Sequence, residues 1–266
     1  MNKKNDIKFC LVGRGSIGSR HVKNLKSLSY NNIIAYSETI DTTKDEQYEN
    51  KYGIKTLNNL DDVRKENPDA FIIANPTAMH IKYIQLAIEM GSHVFVEKPL
   101  SNTLDGVDGL IETIRNKNLV FFIANNFRFH PAFIKIKELI ENCSLGDIYF
   151  ATIMAGQYLP DWHPMEDYRQ SYSARKNLGG GAVLTLEHEI DYAYWFFGKF
   201  KSIKSYVKKI SSLDIDVEDL ASIIIETQKH QLIEIHLDYL QRPPKRSIQI
   251  ATPYSILTLM MPYKVL

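Results

Sequence analysis

The stretch Phe9-Cys10-Leu11-Val12-Gly13-Arg14-Gly15-Ser16-Ile17-Gly18-Ser19-Arg20-His21 decides the reading of this chain. An apolar run enters G-x-G-x-x-G, and Val22, Leu25 and Leu28 continue at helical spacing. A strand, a tight turn and a helix in that order suit the pyrophosphate of a dinucleotide. Gly13 permits the tight turn, Gly15 lets the backbone come close to the pyrophosphate, and Gly18 lets helix and strand pack closely. Ser16 and Ile17 complete the loop at the helix N-terminus, whose N–H groups face the phosphates. The bland alternative is a glycine-rich turn that binds nothing; the strand before it and the helix after it favour binding.

The next apolar run, Ile33–Tyr36, leads into Ser37-Glu38. Glu38 lies about 20 residues beyond Gly18, where a carboxylate accepts hydrogen bonds from the adenosine ribose. A carboxylate there repels a 2′-phosphate, so NAD is expected over NADP. The alternative makes Glu38 an ordinary loop acid.

Further out, strand and helix patterns alternate through the first half. Strands are expected over residues 7–12, 32–36, 70–74, 93–96 and 119–124. Helices are expected over residues 59–66, stopped by Pro68, along Ile81, Ile84 and Ile88 up to Gly91, and along Leu104, Val107, Ile111 and Ile114. Thr77 is expected to cap the second of these. This alternation predicts an α/β doubly wound parallel sheet, with ligands at the carboxyl ends of its strands. The glycine turn, Glu38, Asn75-Pro76 and Glu97-Lys98-Pro99 all fall at such ends.

The second half changes character. Phe133, Ile136 and Ile140 mark a helix, and residues 148–155 a strand. A polar and aromatic segment fills residues 157–175. Gly179-Gly180-Gly181 opens a helix expected to run to Phe197, and strand-like runs follow at 203–207, 220–227, 232–240, 247–251 and 256–260. Strands in series with few helices predict an α+β open-sheet domain. The boundary is placed after residue 123, giving domains 1–123 and 124–266.

Bulk composition narrows the classes. The 266 residues are 44% hydrophobic, enough for a sizeable core, and a net charge of +1 argues against nucleic acid as partner. Two cysteines make neither a disulfide framework nor a metal-ligand spacing, and no H-E-x-x-H pattern occurs, so no metal is expected. No apolar run spans a bilayer and no signal-peptide pattern opens the chain, so a cytoplasmic setting away from membranes is the expectation.

Several side chains suit chemistry. Lys98, at a strand end before Pro99, can stabilise charge on a substrate oxygen, and a cis Lys-Pro bond would fix its direction. His188 can take a hydroxyl proton near neutral pH, with Thr185 or Asp191 at i−3 and i+3 to orient it. Taken as a lone histidine it is better read as a core or interface residue bonded to its neighbours. Asn126 and Arg128 alternate with aromatics and are read as pointing one way, Arg128 toward a substrate anion or toward a tie between domains. Tyr158, Asp161, Trp162, His163, Tyr172 and Arg175 suit a polyhydroxylated ring with an attached anion, or a loop packed on its own aromatics.

Together these motifs resemble the Gfo/Idh/MocA oxidoreductases: the glycine turn with Arg20-His21, Asn75-Pro76-Thr77-x-x-His80, Glu97-Lys98-Pro99, and Gly179-Gly180-Gly181 leading to His188-Glu189-Ile190-Asp191. The segment 158–175 with Gln241-Arg242-Pro243-Pro244 looks like a subgroup associated with bacterial surface-sugar and nonulosonate biosynthesis. The resemblance implies an NAD(P)-binding Rossmann domain and a substrate-carrying domain that often mediates homo-oligomerisation. It implies dehydrogenation or reduction of a sugar, cyclitol or nucleotide sugar. It places Lys98 at the substrate hydroxyl and makes His188 the proton-transfer residue. Asn75, Pro76, Thr77, His80 and Glu97 fall beside the cofactor. Two departures stand out. Thr185 replaces an aspartate that family members commonly carry, and the chain ends at Leu266, soon after residues 256–260, so that a final element is expected to be missing. A catalytically silent NAD-binding sensor, or an enzyme using bound NAD transiently as family glycosidases and epimerases do, are the alternatives.

Overall fold

The computed structural model describes residues 7–261, so the ending read at residues 263–266 lies outside the described residues. The chain divides into two compact units, Met1–Ala124 and Asn125–Leu266.

In the first unit β1 (Phe9–Val12) is central. It pairs in parallel with β2 (Ile33–Tyr36) on one side and β4 (Ala70–Ile73) on the other. β3 (Lys55–Leu57), β5 (His93–Val96) and β6 (Phe121–Ile123) complete the order β3-β2-β1-β4-β5-β6. Successive β1 residues point to opposite faces, and both faces are covered. Cys10 and Val12 join a core with Tyr83, Ile84 and Ala87 of α4 (His80–Glu89), while Leu11 joins another with Val22 of α1 (Ser16–Ser27). Burial on both faces explains why these strands read as continuous apolar runs rather than alternating ones. The strand order reverses beside β1, and the glycine turn leaves β1 at that switch point.

Two elements escaped the sequence reading. α2 (Thr42–Tyr52) carries only Tyr48 and Tyr52 as apolar anchors, their rings 4.6 Å apart, so no aliphatic stripe announces it. Its boundary signals are present: Asp41 accepts from the Lys44 amide at 3.0 Å, and Gly53 ends it left-handed. β3 has three residues, too few for a pattern. α3 (Leu60–Glu66) begins at Asn59 as expected. Two corrections concern helix starts. Thr77 does not cap α4; it opens a 3-10 turn, Thr77–Met79, and makes no side-chain cap bond. α5 (Val107–Asn116) starts later than Leu104, because Gly106 takes a left-handed conformation in front of it.

In the second unit the sheet is mixed, in the order β12-β11-β7-β10-β9-β8. Here β7 (Phe150–Gly156) and β10 (Leu232–Asp238) are parallel, while β8 (Phe200–Lys208), β9 (Leu220–Thr227), β11 (Lys245–Ala251) and β12 (Ile256–Met260) pair antiparallel to their neighbours. One face is covered: Ile153, Ile225, Ile233 and Ile235 pack with Phe133 of α6 (Pro131–Glu141) and with Tyr192, Phe196 and Phe197 of α8 (His188–Phe197). The single helix expected after the glycine triplet is two. α7 (Ala182–Thr185) ends at Thr185, Leu186 leaves helical geometry, and α8 starts afresh at His188.

Candidate active site

In the first unit the glycine turn is shaped by its backbone contacts. Gly13 has φ +99°, and a Cβ there would lie 2.7 Å from the Ala74 carbonyl oxygen; at Gly18 a Cβ would lie 2.1 Å from the Gly13 oxygen. These two glycines hold β1, β4 and α1 together. Around a Cβ placed on Gly15 there is nothing within 4 Å. α1 starts at Ser16 and Ile17 with no side-chain cap and no acidic residue in its first turn. Its first turn therefore carries no carboxylate or side-chain cap, and the dipole there favours an anion. Beyond β4, both polar atoms of the Asn75 amide are buried without a hydrogen-bond partner, the signature of a group waiting for one. Glu38, past the end of β2, accepts from Lys82 Nζ and, at 3.2 Å, from Tyr83 Oη.

Pro76 leads into the 3-10 turn, where Thr77 is buried. His80 is 1% exposed, with Nδ1 2.9 Å from the Pro99 carbonyl and Nε2 3.0 Å from that of Asn75. Burial lowers its pKa, so the neutral ring has one N–H for these two acceptors. Its reach is to the backbone, tying the Asn75 turn to the cis Lys98–Pro99 turn. Glu97 reaches back to α1, with Oε1 2.6 Å from His21 Nε2 and 3.8 Å from Arg20. Burial raises the Glu97 pKa, but the His21 hydrogen bond and the charges of His21, Arg20 and Lys98 outweigh it, and the net shift is downward. The sequence placed His21 beside the glycine turn but did not connect it to Glu97. Lys98 follows at the carboxyl end of β5.

In the second unit Asn126 and Arg128 lie on a 3-10 turn, Asn126–Phe129, so the strand-like alternation read there does not apply. Arg128 grips Asp191 in a two-pronged pair, Nε to Oδ2 at 2.9 Å and Nη2 to Oδ1 at 2.7 Å. Both groups belong to the second unit, and Asp191's oxygens are engaged by this guanidinium. Thr185 is buried, with its hydroxyl 2.8 Å from Tyr239 Oη, which also lies 3.2 Å from the Ser173 carbonyl. With α7 and α8 broken between them, Thr185 lies outside the helix that carries His188, whereas Asp191 shares α8 with it. What lies flat against the His188 ring is Phe127, centroids 4.5 Å apart and planes 28° from parallel. Phe127's ring is in turn 5.0 Å from the guanidinium of Arg246, which pairs at 2.8 Å with the fully buried Glu189. Glu189 and Arg246 were missed because they lie 57 positions apart, on α8 and β11.

The aromatic segment separates into two groups. Tyr158 stacks under Arg242, with Cζ 3.4 Å from the ring centroid, and Trp162 donates to the Gln157 carbonyl and meets Tyr239 edge-on. Asp161, His163 and Tyr172 are exposed, and Arg175 Nε donates to the Arg169 carbonyl. Arg242, seen in sequence only as part of a motif, is thus the cation beside Tyr158. Among the described residues no group of three His, Cys, Asp or Glu side chains gathers as metal ligands.

A parallel sheet with an uncapped glycine turn at its switch point defines a dinucleotide-binding domain, here joined to a mixed-sheet domain. The chain belongs to the Gfo/Idh/MocA oxidoreductases: residues 7–125 match the family's NAD-binding Rossmann fold and residues 133–252 its C-terminal domain. It is 29% identical over 191 residues to an uncharacterized oxidoreductase, YrbE, of Bacillus subtilis, covering 71% of this chain and 53% of that one. It is also 29% identical over 198 residues to a myo-inositol 2-dehydrogenase of Thermotoga maritima, covering 73% and 55%. The chain thus spans about half the length of these curated relatives. Among solved structures it resembles the WlbA dehydrogenase of Bordetella pertussis, in complex with NADH and UDP-GlcNAcA, with TM-score 0.85 and 20% identity, covering 96% of this chain and 79% of that one. No described helix is long and apolar enough to cross a membrane.

Proposed function

We propose that the chain is an NAD-dependent oxidoreductase acting on a hydroxyl or carbonyl carbon of a sugar or nucleotide sugar. The observation that carries this reading is the open backbone at Gly15 in front of an uncapped α1, with the unpartnered Asn75 amide beyond the next strand. These residues fit NAD: Gly13, Gly15, Ser16, Ile17 and Gly18 receive the pyrophosphate, Glu38 the ribose, and the turn from Asn75 the far end. Bound NAD supplies the hydride acceptor.

The protein's own residues supply the rest. Lys98 holds the substrate oxygen and offsets the charge that grows on it. His188 takes the hydroxyl proton, its ring plane set by Phe127. Arg128 and Asp191 hold the turn that carries Phe127 against α8. Tyr158 with Arg242, and the exposed Asp161, His163 and Tyr172, supply stacking and polar groups for a sugar and its anionic substituent. Relatives named as a myo-inositol 2-dehydrogenase and a dehydrogenase complexed with a nucleotide sugar support this substrate class. The same proposal includes a homo-oligomer, checked by sedimentation velocity.

The test is a panel of cyclitols and CMP-, UDP- and GDP-sugars with NAD. Wild type is expected to turn over one of them. Lys98→Ala is expected to bind NADH normally and lose turnover by about 100-fold or more. Undiminished turnover of Lys98→Ala at full cofactor occupancy would refute the assignment. Thr185 favours one second reading: its hydroxyl cannot hold an imidazolium as a carboxylate does, which suits a silent NAD-binding subunit. Tight NADH binding with no turnover across the panel separates that reading from the first.

A further inference from the structure

The carboxylate expected to read the cofactor's ribose does not stand alone. Glu38 Oε1 lies 2.5 Å from the Lys82 ammonium, and Oε2 accepts from the Tyr83 hydroxyl at 3.2 Å. Both partners come from the first turn of α4. Tyr83 is buried against Tyr36, the last residue of β2, which fixes its hydroxyl. Lys82 is about half exposed, and its Nζ sits 5.3 Å from the Tyr83 ring centroid. The hydrogen bond from Lys82 keeps Glu38 ionised by lowering its pKa. A carboxylate has roughly four acceptor positions. The two taken here leave room for ribose hydroxyls, so the ion pair does not block NAD.

The pair changes the electrostatics toward a 2′-phosphate. A bare carboxylate meets a phosphate group of charge about −1.5 to −2 with direct repulsion. A carboxylate in contact with an ammonium is close to neutral at that distance. The ammonium is a compact point charge on a flexible stem, able to turn to a phosphate oxygen. Arg14 does not supply this compensation: its guanidinium is committed to the largely buried Asp45, with one further bond to the Thr39 carbonyl.

We propose that Lys82 sets the cofactor selectivity of this chain, softening the rejection of NADPH that Glu38 alone would impose. This inference rests on the dinucleotide reading above and deepens it. The experiment follows NADH and NADPH binding to the full chain by fluorescence, in wild type, Lys82→Ala, Lys82→Arg and Glu38→Gln. Thermal melts establish that each variant is folded. Both cofactors are expected to bind wild type, NADH more tightly. Lys82→Ala is expected to raise the ratio of NADPH to NADH dissociation constants about fivefold, the scale of a lost half-exposed ion pair. Lys82→Arg keeps the charge and is expected to stay within about twofold of wild type, and Glu38→Gln to lower the ratio. A Lys82→Ala ratio that falls, or changes by less than about twofold, overturns the proposal: Lys82 would then only position Glu38 or do nothing. If folded wild type binds neither cofactor, the dinucleotide reading itself fails, and this inference with it.

Discussion

The glycine turn at residues 13–18 and the glycine triplet at residues 179–181 look alike in sequence but are used in opposite ways. In the first, Gly13 and Gly18 are crowded by backbone while Gly15 between them faces open space. In the triplet, the space beside two glycines is filled by the protein itself. A Cβ on Gly180 would lie 2.3 Å from the Tyr172 carbonyl oxygen, and one on Gly181 about as close to the Glu218 carboxylate, which also accepts from the Val183 amide at 3.0 Å. One motif leaves open space beside its middle glycine; the other brings the aromatic segment and the 218 loop onto the start of α7. A glycine pattern therefore signals close approach, and only the surroundings say whether protein or ligand makes it.

The comparison can be broken most directly at Gly18. Alanine there meets the Gly13 carbonyl, a backbone group that cannot step aside, and is expected to cost about 4 kcal/mol or more. Urea denaturation should show it as loss of the first unit's transition. Gly180→Ala is next, at about 3 kcal/mol in the second unit, because its neighbours are also carbonyls. Its folded fraction should bind NADH as wild type does; weakened binding would mean that the triplet also serves the cofactor.

Gly15→Ala sharpens the contrast. With an empty surround and φ −70°, it should change stability by less than about 0.5 kcal/mol. It should weaken NADH binding about tenfold, because the added methyl occupies the space left for the pyrophosphate. Loss of stability with unchanged affinity would reverse the assignment of the two motifs.

The smallest expected effect concerns pH. Glu97, partly buried beside His21 of α1, has its pKa held below the ordinary carboxylate value, so it binds a proton more readily unfolded than folded. Its stabilising contribution is complete above the unfolded value, 4.5, and is lost as pH falls through the lower folded value. Glu97→Gln should flatten the acid limb of the first unit's stability profile. An unchanged limb would place the linkage elsewhere.

Much of this was legible along the chain. Buried parallel strands announce themselves as apolar runs, and the glycine turn carries its own geometry, so the doubly wound sheet and the strand, turn and helix around residues 13–18 followed from local pattern. α2 was missed because its two tyrosines make no periodic stripe, although Asp41 and Gly53 mark its ends. The break between α7 and α8 was missed because nothing in Leu186-Glu187 forbids a helix; the surroundings of the glycine triplet and the Thr185–Tyr239 bond set α7 apart.

By itself the sequence determined most of the element types, the family and the residue chemistry available, because these depend on neighbours within a few positions. Tertiary structure alone decided the partnerships: Arg128 to Asp191, Arg246 to Glu189, Lys82 to Glu38, His21 to Glu97. Each joins residues at least 44 positions apart. Local pattern says that a charge is present, but its partner is chosen by which strand ends and helix faces the folded sheet brings within hydrogen-bond reach.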